Sequence, residues 1–64
     1  MRFSGTSRNG DFQEALSDAI TAATSGLGGG PDLMVNWHVL LISGVNGGIA
    51  GLNNLTVEIF ATAS

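Results

Sequence analysis

The sequence predicts an α+β domain with the element order β-α-β-β, in which one helix packs on a small three-stranded antiparallel sheet. Three patterns carry this prediction. Between Asp11 and Thr24 apolar residues recur at helical spacing. Two later segments are rich in β-branched and aromatic residues, as strands are. Between those segments the stretch "NGG" (46–48) is a strong hairpin-turn signal. A chain of 64 residues makes a single domain, spanning 1–64.

The first strand is predicted in "MRFSGTS" (1–7), followed by the turn-forming "SRNG". Asp11 is a good N-cap for the helix, and Glu14 three residues later completes a capping-box pattern. Gly26 and Gly28 should end the helix after about four turns, and Pro31 prevents its resumption.

The second strand is predicted in "LMVNWHVLLISGV" (33–45) and the third in "LNNLTVEIFATAS" (52–64). In the third strand the apolar residues alternate, so we expect the face with Val57 and Ile59 to pack on the helix and Asn54 to point outward. In the second strand we assign His38 to the helix-facing side and Trp37 to the outer side, which would place Trp37 on the same face as Asn54.

The charge distribution predicts self-association. Only 11% of the residues are charged, against about 25% in typical domains. After Asp32 the single formal charge is Glu58, so a monomer would expose a large apolar surface. A chain this small is marginal alone. It has no cysteine for disulfides, and its single histidine disfavours a structural zinc site. We therefore expect a homo-oligomer.

Several partners and locations are disfavoured by composition. The net charge of −3 and the absence of lysine argue against a nucleic-acid or anionic-membrane partner. No apolar run approaches the ~18 residues of a membrane span. The N-terminal stretch lacks the apolar centre of a signal peptide, so we expect a cytoplasmic protein.

No motif for catalysis stands out, so we do not expect an enzyme. "GLGGG" follows a helix, and without lysine it does not fit a Walker loop. Asp11, Glu14 and Asp18 fit a solvated helix face near the positive end of the helix dipole, with a calcium site as the alternative. His38 could act as a general base, but nothing near it in sequence supplies a nucleophile.

Trp37, the only tryptophan, has two interpretations. It is either a core or subunit-contact residue, or a stacking platform for a planar ligand. On an outer sheet face, a flat aromatic near the amide of Asn54 could bind a heterocycle and read its edge.

These residues resemble the dodecin family of small β-α-β-β proteins, which form hollow dodecamers and bind flavins. "GTS" (5–7) resembles the family's turn before the helix, Trp37 its flavin-stacking tryptophan, and "NNLTVEIFA" (53–61) its last strand. The resemblance implies that Asn54, or Asn53 if the hairpin slips by one residue, replaces the family's glutamine at the pyrimidine edge of the flavin. Val39 stands where the family carries an acidic residue.

The resemblance implies a flavin-binding storage protein, in which the ring is sequestered on the strand tryptophan at subunit interfaces of a dodecamer. Positive charge is limited to Arg2 and Arg8, so riboflavin or a ring fragment is expected in preference to FMN or FAD. The alternative is a cofactor-free self-assembling structural module, with Trp37 packed at a subunit contact.

Overall fold

The computed structural model describes residues 1–49 and 51–63, so the last residue of the predicted third strand, Ser64, lies outside the described part. The elements are β1 (Arg2–Ser7), α1 (Phe12–Gly26), β2 (Val35–Gly47) and β3 (Leu52–Ala63). The strands form one antiparallel sheet in the order β1-β3-β2. The predicted α+β fold and its β-α-β-β order are confirmed.

The helix begins where the sequence predicts, at the N-cap Asp11. The Asp11 carboxylate accepts hydrogen bonds from the backbone N–H groups of Gln13 at 3.0 Å and Glu14 at 3.3 Å. The predicted capping box is wrong, because the Asp11 N–H donates to Ser7 Oγ at 3.1 Å and not to Glu14. Ser7 is the buried last residue of β1, so this bond fixes the angle between strand and helix.

A small-residue face of α1 forms the core with β3. Ala15, Ala19 and Ala23 are fully buried, as are three side chains of β3, Val57, Ile59 and Ala61. The predicted helix-facing side of β3 is thereby confirmed. The helix also lies close against β1, because a Cβ on Gly5 would collide with the Ala15 carbonyl oxygen and the Ala19 nitrogen. A glycine is therefore required on β1 at this crossing.

The hairpin of β2 and β3 is longer than the rest of the sheet. β1 pairs with β3 only between Ser7↔Leu55 and Arg2↔Phe60, whereas β2 pairs with β3 from Val35↔Ala63 to Gly47↔Leu52. The turn end of the hairpin, where residues 45–47 pair with residues 52–54, is thus a two-stranded arm. The radius of gyration is 13.1 Å, against about 10.7 Å for a compact chain of this length, which reflects the elongated shape.

A β-bulge at Leu40 divides β2. Val39 pairs with Ile59 and Leu41 pairs with Glu58, so one extra residue is inserted into β2 between neighbouring positions of β3. The side-chain alternation changes there. Val39 before the bulge and Ile42 after it both lie opposite buried residues of β3, and so both are on the helix side of the sheet.

Candidate functional site on the second strand

Trp37 lies on the helix side of the sheet, not on the predicted outer side. It pairs with Ala61, which is fully buried under α1, and directly opposed residues of an antiparallel pair share a face. The helix lies over β1 and β3 and barely touches β2. The Trp37 side chain therefore stands beside the helix and remains 41% exposed.

His38 lies on the outer side, so its predicted helix-facing position is wrong. It pairs with Phe60, and the two rings are tilted by 33° with centroids 5.7 Å apart. A period-two pattern shows which residues share a face, but it does not show which face receives the helix. The pairing of Trp37 with Ala61 and of His38 with Phe60 decides that point.

Asn54 lies on the outer side, as predicted, but far from Trp37. It pairs with Val45 in the arm, seven residues along β3 from Ala61, the partner of Trp37. At ~3.3 Å per residue the separation is roughly 23 Å, and the two side chains point to opposite sides of the sheet. One chain does not bring them together.

Asn53 is on the same side of the sheet as Trp37, but it is engaged within the chain. Its Nδ2 donates to the carbonyl oxygen of Asn9 at 3.0 Å, and its Oδ1 accepts from Asn46 Nδ2 at 3.4 Å. These bonds tie the arm to the turn between β1 and α1. The structure thus gives Asn53 a structural role.

Val39 is the one predicted site residue next to Trp37 on the same face. It lies two positions further along β2, is half-buried, and packs against the core. Of the four candidate residues, the structure places Trp37 and Val39 together, and places Asn53 and Asn54 at the other end of the hairpin.

Two of the three helix carboxylates hold backbone groups. Asp11 caps the helix, and Asp18 Oδ2 accepts the N–H of Thr6 in β1 at 3.1 Å. Within residues 1–49 and 51–63, no group of three or more histidines and carboxylates lies close enough to hold a metal ion. In that same part of the chain, no helix has the length and apolar character needed to cross a membrane.

An exposed apolar strip runs along β2, although the described residues enclose no cavity. We call it the β2 strip; its members are Trp37 and Ile42 on the helix side of the sheet, Leu41 and Val45 on the outer side, and Leu40 in the bulge. The lack of charges after Asp32 predicted an apolar surface, but not its concentration on the strand that α1 leaves uncovered. Comparison of the chain with protein families, curated proteins and solved structures gave no match.

Proposed function

We propose that this protein is a self-assembling subunit that binds and stores a planar ligand, of which a flavin is the leading candidate, against Trp37 at a contact between copies. The observation that carries the proposal is the position of Trp37. Its side chain is 41% exposed beside the helix, on a strand without a formal charge that also exposes Leu40, Leu41 and Ile42 further along.

The chemistry of this surface suits a flat, weakly charged ring. Stacking on an indole contributes ~0.5–1.5 kcal/mol beyond the burial of area. Arg2, one of the two arginines, is paired with Glu58 at 3.4 Å. Little positive charge is left for a phosphate, which favours riboflavin or a ring fragment over FMN or FAD. Stacking would also shield the ring and limit its photochemistry, as storage requires.

The second candidate function is a cofactor-free self-assembling module, with Trp37 packed against a neighbouring copy. The roughly 23 Å between Trp37 and Asn54 favours it, because one chain does not combine the ring with its predicted amide partner. Both candidates share the oligomer. The resemblance to dodecins implies a dodecamer, and light scattering coupled to size exclusion measures the number of subunits.

Titration of riboflavin fluorescence separates the two candidates. We expect the parent chain to quench riboflavin, Trp37→Ala to lose most of this binding, and Trp37→Phe to retain part of it. Loss of one stacked ring at ~1.4 kcal/mol corresponds to about a tenfold weaker affinity. Phe12→Ala is the matched control, since Phe12 is a similarly exposed aromatic on the helix.

Size exclusion of the same variants completes the test. If Trp37→Ala remains an oligomer and loses riboflavin, the indole serves the ligand. Riboflavin binding that is unchanged in Trp37→Ala contradicts the stacking role. A parent chain that ignores riboflavin, together with a Trp37→Ala variant that dissociates, establishes the cofactor-free module instead.

A further inference from the structure

The outer edge of β2 offers a row of backbone groups to a neighbour. Met1 and Ala61 exchange both of their backbone hydrogen bonds. From Ala61 back to Leu55, alternate residues of β3 therefore bond to β1, and the residues between them bond to β2. No strand beyond β2 is found among residues 1–49 and 51–63. The register therefore turns the N–H and C=O groups of these β2 residues to the open edge: Val35, Trp37, Val39, Ile42, Gly44 and Asn46.

The bulge lies at the centre of this row. Val39 and Ile42 lie opposite Ile59 and Val57, so the three-residue step across Leu40 covers the length of two residues of β3. The outward residues therefore stay in step with alternate residues of β3 through the bulge. Three of these residues lie on each side of the bulge, so a two-fold axis at its centre pairs all six with the same row of an identical strand.

The charges and surface area favour a second copy of this chain as the occupant. No residue from Leu33 to Val57 carries a formal charge, so a charged partner strand would have its charges unpaired at this edge. An identical, uncharged strand does not have that cost. The described chain exposes 4248 Å², compared with about 3800 Å² for a compact monomer of its mass. The excess surface reflects the elongated hairpin, on which the five side chains of the β2 strip are exposed.

We propose that two copies join their β2 edges about a two-fold axis at the bulge, giving one continuous six-stranded sheet. In this register Val39 faces Ile42 of the second copy, Trp37 faces its Gly44, and Val35 faces its Asn46. This inference deepens the proposed function and rests on it only for the existence of an oligomer.

The pairing completes the candidate site. Trp37 lies opposite a glycine of the second copy, which leaves the space over the neighbouring strand free of a side chain. Asn46 of the second copy is the diagonal neighbour on the same side of the sheet, at a Cα spacing of ~7–8 Å from Trp37. Its amide contacts that of Asn53 in the same copy. The second copy thus supplies, beside the ring, the Asn46 amide, which one chain holds at the far end of its hairpin.

Proline substitutions at the two sheet edges test the proposal. Ile42→Pro removes an N–H that faces the open β2 edge and leaves the pairing of β2 with β3 intact. Ser4→Pro removes an N–H that faces the outer edge of β1, and is the matched control. We expect Ile42→Pro to weaken self-association at least about tenfold, measured by sedimentation, and Ser4→Pro to leave it unchanged. Equal association of both variants and the parent overturns the proposal.

Hydrogen exchange of the unmodified chain keeps the test decisive if Ile42→Pro fails to fold. The amide protons of Trp37, Val39, Ile42 and Gly44 should be protected in the oligomer and lose that protection on dilution. Fast exchange at these four positions in an intact oligomer overturns the proposal.

Engineered cysteines test the register, since the chain has none of its own. Oxidation of a mixture of Val35→Cys and Asn46→Cys chains should give the mixed disulfide dimer, because the register places these two positions opposite each other. Each variant alone should form far less dimer. Efficient cross-linking of Asn46→Cys with itself contradicts the register.

These outcomes are independent of riboflavin titration. If the chain associates through the Ile42 edge without binding riboflavin, the edge pairing is supported and the ligand hypothesis is contradicted. If the chain binds riboflavin as an oligomer that is insensitive to Ile42→Pro, the ligand hypothesis is supported and the edge pairing is contradicted. A monomeric parent chain overturns both the edge pairing and the proposed subunit contact.

Discussion

The two edges of the sheet are built differently. β1 is six residues long, carries Arg2, and is closed by the helix: Asp18 accepts the outward N–H of Thr6, and Gly5 lets the helix backbone approach. β2 is thirteen residues long, carries no formal charge, and lies outside the helix. Charged side chains and covering elements are the usual protection of a strand edge against pairing with other chains. The β1 edge has both, and the β2 edge has neither.

This difference indicates which edge of the sheet is open to association with another chain. A bulge often disrupts an edge, but on either side of the bulge at Leu40 the outward residues Val39 and Ile42 still lie opposite alternate residues of β3. One edge is therefore closed by contacts within the chain, and the other remains a regular row of donors and acceptors. Substitutions at the closed edge should change the free energy of unfolding while leaving association through β2 intact.

The largest effect on the closed edge is expected from Gly5→Ala. The new Cβ would meet backbone atoms of Ala15 and Ala19, which lie within a helix and have little freedom to move away. Overpacking of this kind costs ~1–3 kcal/mol, and we expect a value near the upper end. Urea denaturation at equal chain concentration measures the loss. Gly30→Ala is the control, since a Cβ added at Gly30 would meet no other atom within 4 Å.

A change below about 0.5 kcal/mol in Gly5→Ala would show that helix and β1 separate easily, and would remove the main structural distinction between the two edges. Gly30→Ala should stay within that range of the parent.

A smaller effect is expected at Asp18. Asp18→Ala removes the acceptor for the Thr6 N–H, and an exposed bond of this kind contributes about 1 kcal/mol. Asp18→Asn retains an acceptor oxygen and should recover much of the loss. The Thr6 amide proton should exchange faster in the alanine variant. Equal stability and equal Thr6 exchange in the alanine variant and the parent would mean that the carboxylate does not close this edge.

Local signals explain how much of the fold the sequence predicts. The helix begins after Asp11, because the Asp11 carboxylate accepts hydrogen bonds from N–H groups of the first turn, and it ends at Gly26. Both signals lie at the ends of the helix itself, so they can be read from the local sequence. The alternation of Val57 and Ile59 in β3 is likewise local, and it correctly predicts the helix-facing side. The fold class follows from such signals.

The candidate site depends on non-local pairing, which sequence alone predicts poorly. The predicted sides of Trp37 and His38 are wrong because their faces are set by Ala61 and Phe60, more than twenty positions away along the chain. The bulge at Leu40 has no clear sequence signal, since one apolar residue is inserted into a run of apolar residues. The bond from Asp11 to Ser7 likewise depends on where β1 ends relative to the helix.

The smallest effect is expected at the ion pair of β1 with β3. Arg2 Nη1 lies 3.4 Å from Glu58 Oε1, and the Arg2 side chain is 73% exposed. Exposed pairs contribute ~0–1 kcal/mol because water and salt screen them, so Arg2→Leu should change stability by less than about 0.5 kcal/mol. A double-mutant cycle with Glu58→Gln isolates the pair, and about 0.5 M salt should reduce its coupling energy, since the Debye length falls to a few ångströms. Arg2→Leu also separates two causes of edge protection. If Asp18 and the helix close the β1 edge, the variant keeps the oligomeric state of the parent; growth into larger assemblies would show that the arginine charge protects this edge.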